Sequence, residues 1–176
     1  MIPVHVARSV LEAVRGDGRL YAATSLMLLA GHRKKEVGEL RVGDWMPGDE
    51  PKIKISGRFQ VRTIIVARTA ADAVNAQLEE SGRDADDPLL PGFQESSHPH
   101  RLAWEFKRVM RREGLGVTPS NLRKAAMTVA VNNRVPIPHI VEYFGLSAKV
   151  VYKELVPVPS GFDREIADLL ERTFVT

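Results

Sequence analysis

Residues 30–45 read AGHRKKEVGELRVGDW, and this stretch carries the strongest fold signal in the chain. Its second residue, Gly31, follows an apolar run and suits the C-terminal cap of a helix. A short helix is predicted over Lys35 to Leu40, and Gly43-Asp44 predicts a turn after it. Arg33 lies between the two predicted helices.

A second stretch, residues 118–125, reads TPSNLRKA. Thr118-Pro119 is a strong helix start, because a threonine hydroxyl can cap the helix and proline fits its first position. We expect this helix to run to about Val131. Arg123 then lies one turn inside it, near the free backbone N–H groups of the helix N-terminus.

Apolar spacing predicts further helices and one hairpin outward from these two stretches. Two β-branched runs, Ile53 to Ile55 and Val61 to Val66, flank a glycine-bearing turn and predict the hairpin. Thr69 is expected to cap the helix that follows. The predicted helices are 6–14, 20–29, 35–40, 69–80, 100–113, 119–131, 140–144, 148–155 and 163–174. This order predicts a mainly α fold with a small antiparallel β-hairpin or sheet.

Composition excludes several protein classes. Of the 176 residues, 44% are apolar and 27% are charged, which is typical of a globular chain. The absence of cysteine excludes a disulfide scaffold, a thiolate zinc site and a cysteine nucleophile. The longest apolar run is far short of the roughly 20 residues that span a membrane, and no secretory signal is visible. We therefore expect a soluble, cytoplasmic domain.

Positive charge is concentrated in one part of the chain. Lysine and arginine total 25 against 22 acidic residues, for a net charge of +3. Between residues 101 and 124 the basic residues far outnumber the acidic ones, so one face is expected to be basic. A basic face permits a nucleic-acid partner, although a solvated helix face has the same pattern.

Motifs for nucleotide binding and serine hydrolysis are absent from the sequence. There is no G-x-x-x-x-G-K-[ST], no G-x-G-x-x-G and no G-x-S-x-G. His98 and His100 stand two residues apart without a third ligand at metal-binding spacing. We expect no metal and no other cofactor.

The two arginine stretches resemble the conserved motifs of the tyrosine recombinases, the phage integrase family. The first family motif has the form T-G-L-R-x-x-E-L-x-x-L-x-W-x-D-I, and the matching residues are Gly31, Arg33, Glu36, Leu40 and Asp44. The second motif, T-P-H-D-L-R-H-T, is matched at Thr118, Pro119, Leu122 and Arg123. The resemblance implies one catalytic domain over residues 1–176, without the family's N-terminal core-binding domain.

Two guanidinium groups suit the chemistry that this resemblance implies. A phosphodiester under attack gains negative charge, and each guanidinium can fork onto two phosphate oxygens. Arg33 and Arg123 are therefore the primary candidates. The residues expected to contact DNA phosphate are Arg33, Arg58, Ser120, Arg123 and Lys124.

Of the remaining catalytic positions implied by the resemblance, the tyrosine has a candidate and the three assisting positions are altered. The family tyrosine corresponds best to Tyr152, with about one helical turn deleted before it. Ser120 stands where the family has its second-motif histidine, and Leu146 where it has a further histidine or tryptophan. Arg58 is the basic residue nearest the hairpin turn, where the family has a lysine; Lys54 is less well placed. Arginine keeps the charge but is a very poor proton donor.

We interpret the chain as a double-stranded DNA-binding protein of the integrase type, related to recombination or integration of a mobile element. With its catalytic set incomplete, it is expected to be impaired or silent and to act as a regulator, repressor or accessory factor. Self-association through the C-terminal helix is a further expectation. The alternatives are an active integrase domain using Tyr152, a helical protein-interaction module and a helix-turn-helix repressor.

Overall fold

The computed structural model describes residues 2–56, 61–79, 82–93 and 101–154. Within these ranges the main elements are eight α-helices and one small sheet. The helices are α1 (Val4–Val14), α2 (Gly18–Leu29), α3 (Lys34–Glu39), α4 (Arg68–Glu79), α5 (Arg101–Arg112), α6 (Pro119–Asn132), α7 (Ile137–Phe144) and α8 (Ala148–Glu154). The prediction of a mainly α fold with a small antiparallel sheet is confirmed.

The sheet has three antiparallel strands in the order β1-β2-β3. The strands are β1 (Trp45–Met46), β2 (Lys52–Ser56) and β3 (Val61–Ile65). The predicted hairpin is β2 and β3, in a register that pairs Ile53 with Ile64 and Ile55 with Arg62. The two-residue strand β1 was missed by sequence reasoning, because alternation cannot be recognised over two residues.

Helix α2 lies at the centre of the core. It contacts α1, α4 and α6, and its residues from Ala22 to Met27 are all buried. A helix that is apolar on most faces is expected to be surrounded by other elements. A smaller cluster of Met127, Ile140, Phe144 and Val151 joins α6, α7 and α8.

Gly31 brings these two clusters together. Its φ of +66° lies in the left-handed region, which glycine adopts without steric cost. A Cβ at this position would collide with the ring of Phe144. The glycine predicted after α2 therefore also allows the α2–α3 connection to pack closely against α7.

Several predicted helix starts differ from the structure. Thr69 does not cap α4, because α4 begins at Arg68 and the backbone carbonyl of Ala67 accepts the N–H groups of Ala70 and Ala71. Helix α2 begins at Gly18 because the side chain of Asp17 accepts the N–H of Leu20. The cap expected from Thr118 is present, and Gly145 ends α7 in a left-handed conformation.

Some predictions fall outside the described residues: the hairpin turn with Arg58, the pair His98 and His100, and the helix at 163–174. Among the described helices, none combines the length and the hydropathy that crossing a membrane requires.

Candidate functional site

Three arginines converge on the carboxylate of Glu36, which lies in α3 and is buried. The guanidinium of Arg62 is the nearest of the three, with its Nη2 at 3.1 Å from both carboxylate oxygens. The Nη1 atom of Arg33 lies 3.4 Å from Oε1, and the Nη1 atom of Arg123 lies 3.5 Å from Oε2. We call these four residues the Glu36 cluster. It carries three positive charges against one negative charge.

Local structure places each member. Arg33 is the residue before α3, and its backbone N–H donates to Glu36 Oε2 at 2.7 Å. This contact caps the helix and points the carboxylate back toward its own N-terminus. Arg62 lies on β3 at a position that faces the core together with Ile64. Arg123 lies on the buried face of α6, one turn after the Thr118 cap.

The cluster also caps the end of α7. Three consecutive carbonyls there each accept from a different arginine: Tyr143 from Arg62 Nε at 3.1 Å, Phe144 from Arg123 Nη2 and Gly145 from Arg33 Nη2 at 3.2 Å. Gly145 adopts φ +58°, and a Cβ there would lie 2.6 Å from Arg62 Nη1. Glycine therefore lets the guanidinium approach the helix end.

Burial and charge set the protonation states in this cluster. Burial opposes ionisation of Glu36, but the backbone N–H of Arg33 and the charges of Arg62 and Arg123 outweigh it and lower its pKa. Burial lowers the pKa of Arg123 to about 10, against the opposing effect of Glu36. Glu36 is therefore ionised and Arg123 protonated at neutral pH.

His32 is buried beside the cluster. Its Nδ1 lies 3.2 Å from the carbonyl of Leu26, so Nδ1 carries the proton and donates. Its Nε2 has no hydrogen-bond partner among the described residues. Burial, aided by Arg62 and Arg123 and opposed by Glu36, lowers the pKa of His32 to about 4. The imidazole is therefore neutral at pH 7.

The structure brings Arg33 and Arg123 together, although 90 positions separate them in sequence. Both contact the same Glu36 carboxylate, so their guanidiniums reach a common anionic group. Their exposure differs, since the side chain of Arg33 is 47% exposed and that of Arg123 is 9% exposed. A phosphate held between them stays a prediction.

The other predicted residues lie at the surface or outside the described ranges. Ser120 and Lys124 are exposed on α6, and Lys54 is exposed on β2. Tyr152 is 51% exposed on α8, and no contact with the Glu36 cluster is found for it in the described part of the chain. Leu146 follows the α7 cap and is partly buried. Arg58 lies outside the described residues.

Sequence reasoning missed the roles of Arg62 and His32. The signal for Arg62 was the alternation on β3, because Arg62, Ile64 and Val66 share a face that is otherwise apolar. A charged residue on a core-facing position needs a partner of opposite charge. That partner, Glu36, is 26 positions away and was not deducible from spacing.

Solved structures share this arrangement of elements. A XerA recombinase superposes with a TM-score of 0.75 at 22% identity, covering 98% of this chain. A Tn1549 transposon integrase in complex with transposon right end DNA gives 0.71 at 16% identity over 94% of this chain. The lambda integrase catalytic core gives 0.62 at 13% identity over 82% of this chain. The chain has the fold of a tyrosine recombinase catalytic domain.

The share of each solved chain that this protein covers differs. The chain spans 64% of the XerA recombinase chain and 63% of the Tn1549 integrase chain, but 90% of the lambda integrase catalytic core. Neither the protein-family models nor the curated protein sequences yield a match. The agreement between the two arginine stretches and the fold rests on the solved structures.

Proposed function

We propose that the protein binds double-stranded DNA in site-specific recombination or integration, with the Glu36 cluster as its phosphate site. The observation that carries the proposal is the convergence of Arg33 and Arg123 on one carboxylate in a tyrosine recombinase fold. A cluster with two excess positive charges, one of them on a half-exposed guanidinium, suits a phosphodiester. The Tn1549 integrase of the same fold is in complex with DNA.

A second basic surface supports the duplex as the ligand. Helix α5 buries Leu102, Phe106 and Met110 against the core and exposes four basic side chains along its second half. These are Lys107, Arg108, Arg111 and Arg112. The guanidinium of Arg108 lies 5.2 Å from the ring centroid of Trp104, which is 61% exposed. Exposed cations beside an exposed aromatic ring are suited to the phosphate backbone rather than to an apolar protein partner.

Binding to a duplex is expected to fall steeply with salt. Each phosphate contacted contributes a slope of about −0.9 to the plot of log affinity against log salt. Arg33→Ala removes one exposed phosphate ligand, so the slope should become less negative by about 1. A fluorescence anisotropy titration of a labelled duplex at several salt concentrations measures both quantities.

The matched control is Arg15→Ala, because Arg15 is an exposed arginine whose one ion pair with a described residue is to Glu12 on α1, at 3.0 Å. It should leave the slope unchanged. An absence of binding at low salt and tens of micromolar protein would reject the DNA proposal in favour of a helical protein-interaction module. An equal change of the slope in both variants would show that Arg33 contributes no more than another exposed arginine, and would place the phosphate site elsewhere on the surface.

We further propose that DNA cleavage by this chain is impaired. Ser120 and Leu146 occupy positions where the related motif has proton-transfer and phosphate-binding groups. No described side chain lies within hydrogen-bond distance of the Tyr152 hydroxyl to accept its proton. Each general acid or base contributes roughly 10²–10⁴ in rate, so the loss of two leaves slow chemistry.

Tyr152→Phe is expected to leave duplex affinity unchanged, because the exposed phenol takes no part in the Glu36 cluster. The wild-type chain is expected to form no covalent adduct with a nicked or phosphorothiolate-bridged duplex. Denaturing electrophoresis of the mixture checks this. A denaturation-resistant adduct that is lost in Tyr152→Phe would identify an active integrase, which is the alternative function.

Self-association through residues 163–174 stays a prediction, since that segment lies outside the described residues. Its sequence places Ile166, Leu169, Leu170 and Phe174 on one stripe. A groove of about 550 Å³ between α1, α2 and α6 is lined mostly by apolar side chains, as that stripe is apolar. Its lining includes Ile2, Leu11, Leu28, Leu29, Ala126 and Val129.

A further inference from the structure

Arg62 differs from the other two arginines of the Glu36 cluster in how its guanidinium is bound. Its Nη1 and Nη2 atoms donate to the Glu36 carboxylate at 3.2 and 3.1 Å, and its Nε donates to the Tyr143 carbonyl at 3.1 Å. All three nitrogens of the guanidinium are therefore bound to the protein, and the side chain is only 5% exposed. Arg62 is committed to the protein interior rather than to a ligand from solvent.

The guanidiniums of Arg33 and Arg123 are bound to Glu36 more loosely. Their closest approaches to the carboxylate are 3.4 Å for Arg33 and 3.5 Å for Arg123. Both distances lie beyond the range of about 2.7–3.2 Å that is usual for an N–H···O hydrogen bond, whereas those of Arg62 lie within it. Among the described residues, neither Arg33 nor Arg123 has a hydrogen-bond acceptor for its Nε. Each of these two guanidiniums therefore retains N–H donors that phosphate can use.

The balance of charge in the cluster gives Arg62 a separate task. A buried carboxylate is stable as an anion only when it is paired with a positive charge and hydrogen-bonded. Burial raises the pKa of Glu36, but the Arg33 backbone N–H, then the Arg62 charge and then the Arg123 charge together lower it. When Glu36 and Arg62 neutralise each other, the positive charges that remain are those of Arg33 and Arg123.

We propose that Arg62 is a positioning residue, which neutralises Glu36 so that Arg33 and Arg123 keep their charge and their N–H donors for phosphate. This inference rests on the proposed phosphate site. Without Arg62, the buried carboxylate draws the other two guanidiniums closer, because an ionised group left unpaired in the interior is costly. Arg33 and Arg123 then use on Glu36 the donors that they otherwise present to phosphate.

Calorimetric titration of the full chain with inorganic phosphate at pH 7 tests this role. Arg62→Gln should lower the affinity about tenfold, the factor that corresponds to the loss of one charge-assisted hydrogen bond. The double variant Arg62→Gln with Glu36→Gln should recover most of the affinity, because it removes the competing carboxylate and restores the net charge of the cluster. A merely structural role predicts no recovery, because Arg62 is missing from both variants. A double variant that binds as weakly as Arg62→Gln would overturn the inference.

Arg19→Gln is the matched control for the loss of a buried pair. Arg19, on α2, lies 3.3 Å from the carboxylate of Glu105, whose side chain is 8% exposed, and it also donates to the Pro91 carbonyl. Its removal should lower the stability of the protein without lowering the affinity for inorganic phosphate. An equal loss of affinity in Arg19→Gln and Arg62→Gln would show that any broken ion pair weakens binding, which would also overturn the inference.

The wild-type chain provides a measurement that does not depend on the folding of a variant. The Nε–H groups of arginine side chains give separate signals in a nitrogen–proton correlation spectrum. We expect inorganic phosphate to shift the signals of Arg33 and Arg123 and to leave that of Arg62 nearly unchanged. A shift of the Arg62 signal as large as that of Arg33 would identify Arg62 as a ligand of the phosphate and reject the positioning role.

A labelled duplex separates this inference from the DNA proposal, and the same order of affinities is expected for it. A duplex that binds Arg62→Gln as tightly as the wild type rejects the positioning role and leaves DNA binding standing. A duplex that fails to bind, while inorganic phosphate gives the expected recovery in the double variant, rejects the DNA proposal and supports the role of Arg62. An absence of binding by both ligands rejects both proposals.

Discussion

Glu36→Gln is expected to lower the free energy of unfolding by about 3–5 kcal/mol, the range for removing one partner of a buried ion pair. The amide keeps the size of the carboxylate but not its charge. Arg62 and Arg123, with side chains 5% and 9% exposed, would then be buried next to each other without a counter-ion. The effect is large because the mutual repulsion of the guanidiniums is no longer offset. Chemical denaturation followed by circular dichroism measures it.

Glu39→Gln serves as the control for this experiment. Glu39 lies on the same helix, and its exposed carboxylate is 3.5 Å from Lys35. Exposed pairs contribute about 0–1 kcal/mol, so this variant should resemble the wild type. The double variant Glu36→Gln with Arg62→Gln should recover part of the loss, because it removes one unpaired charge. A Glu36→Gln variant as stable as Glu39→Gln would show that solvent reaches the arginines.

The second large effect is a loss of stability below pH 6.5 caused by His32. The unfolded chain protonates this residue near its ordinary pKa of 6.5, whereas the folded protein does so only near a pKa of about 4. Between these values the unfolded state binds more protons, so the free energy of unfolding falls as the pH falls. The difference between the two pKa values corresponds to about 3 kcal/mol of stability, which is fully present above pH 6.5 and lost by about pH 4.

His32→Leu is expected to flatten this part of the pH profile. The carbonyl of Leu26 keeps its backbone donors, the N–H groups of residues 30 and 32, so the variant leaves no new unpaired group. Glu36, whose pKa is also lowered, contributes a separate loss only below its ordinary value of 4.5. Denaturation at pH 7 and pH 5 isolates the histidine. Ser25→Ala, which removes a buried polar atom that does not titrate, should keep the wild-type slope.

Local signals were sufficient for most of the elements. Caps and breakers act within a few residues, so the Thr118 cap, the Gly145 end of α7 and the β2–β3 hairpin were all predictable. Thr69 was predicted wrongly because a hydroxyl near a helix start is a cap only where the backbone leaves the helix, and the sequence does not show that point. The start of α2 was missed because Asp17 stands between two glycines that indicate a break.

The fold class, the order of the helices and the two candidate arginines follow from the sequence alone, since each depends on periodicity and short motifs. That Arg62 joins them, that Glu36 is the shared counter-ion and that the end of α7 takes up their hydrogen bonds depends on the tertiary structure. Those contacts link positions 26 to 112 residues apart. Burial demands that every charge there find a partner, but spacing along the chain does not say which one.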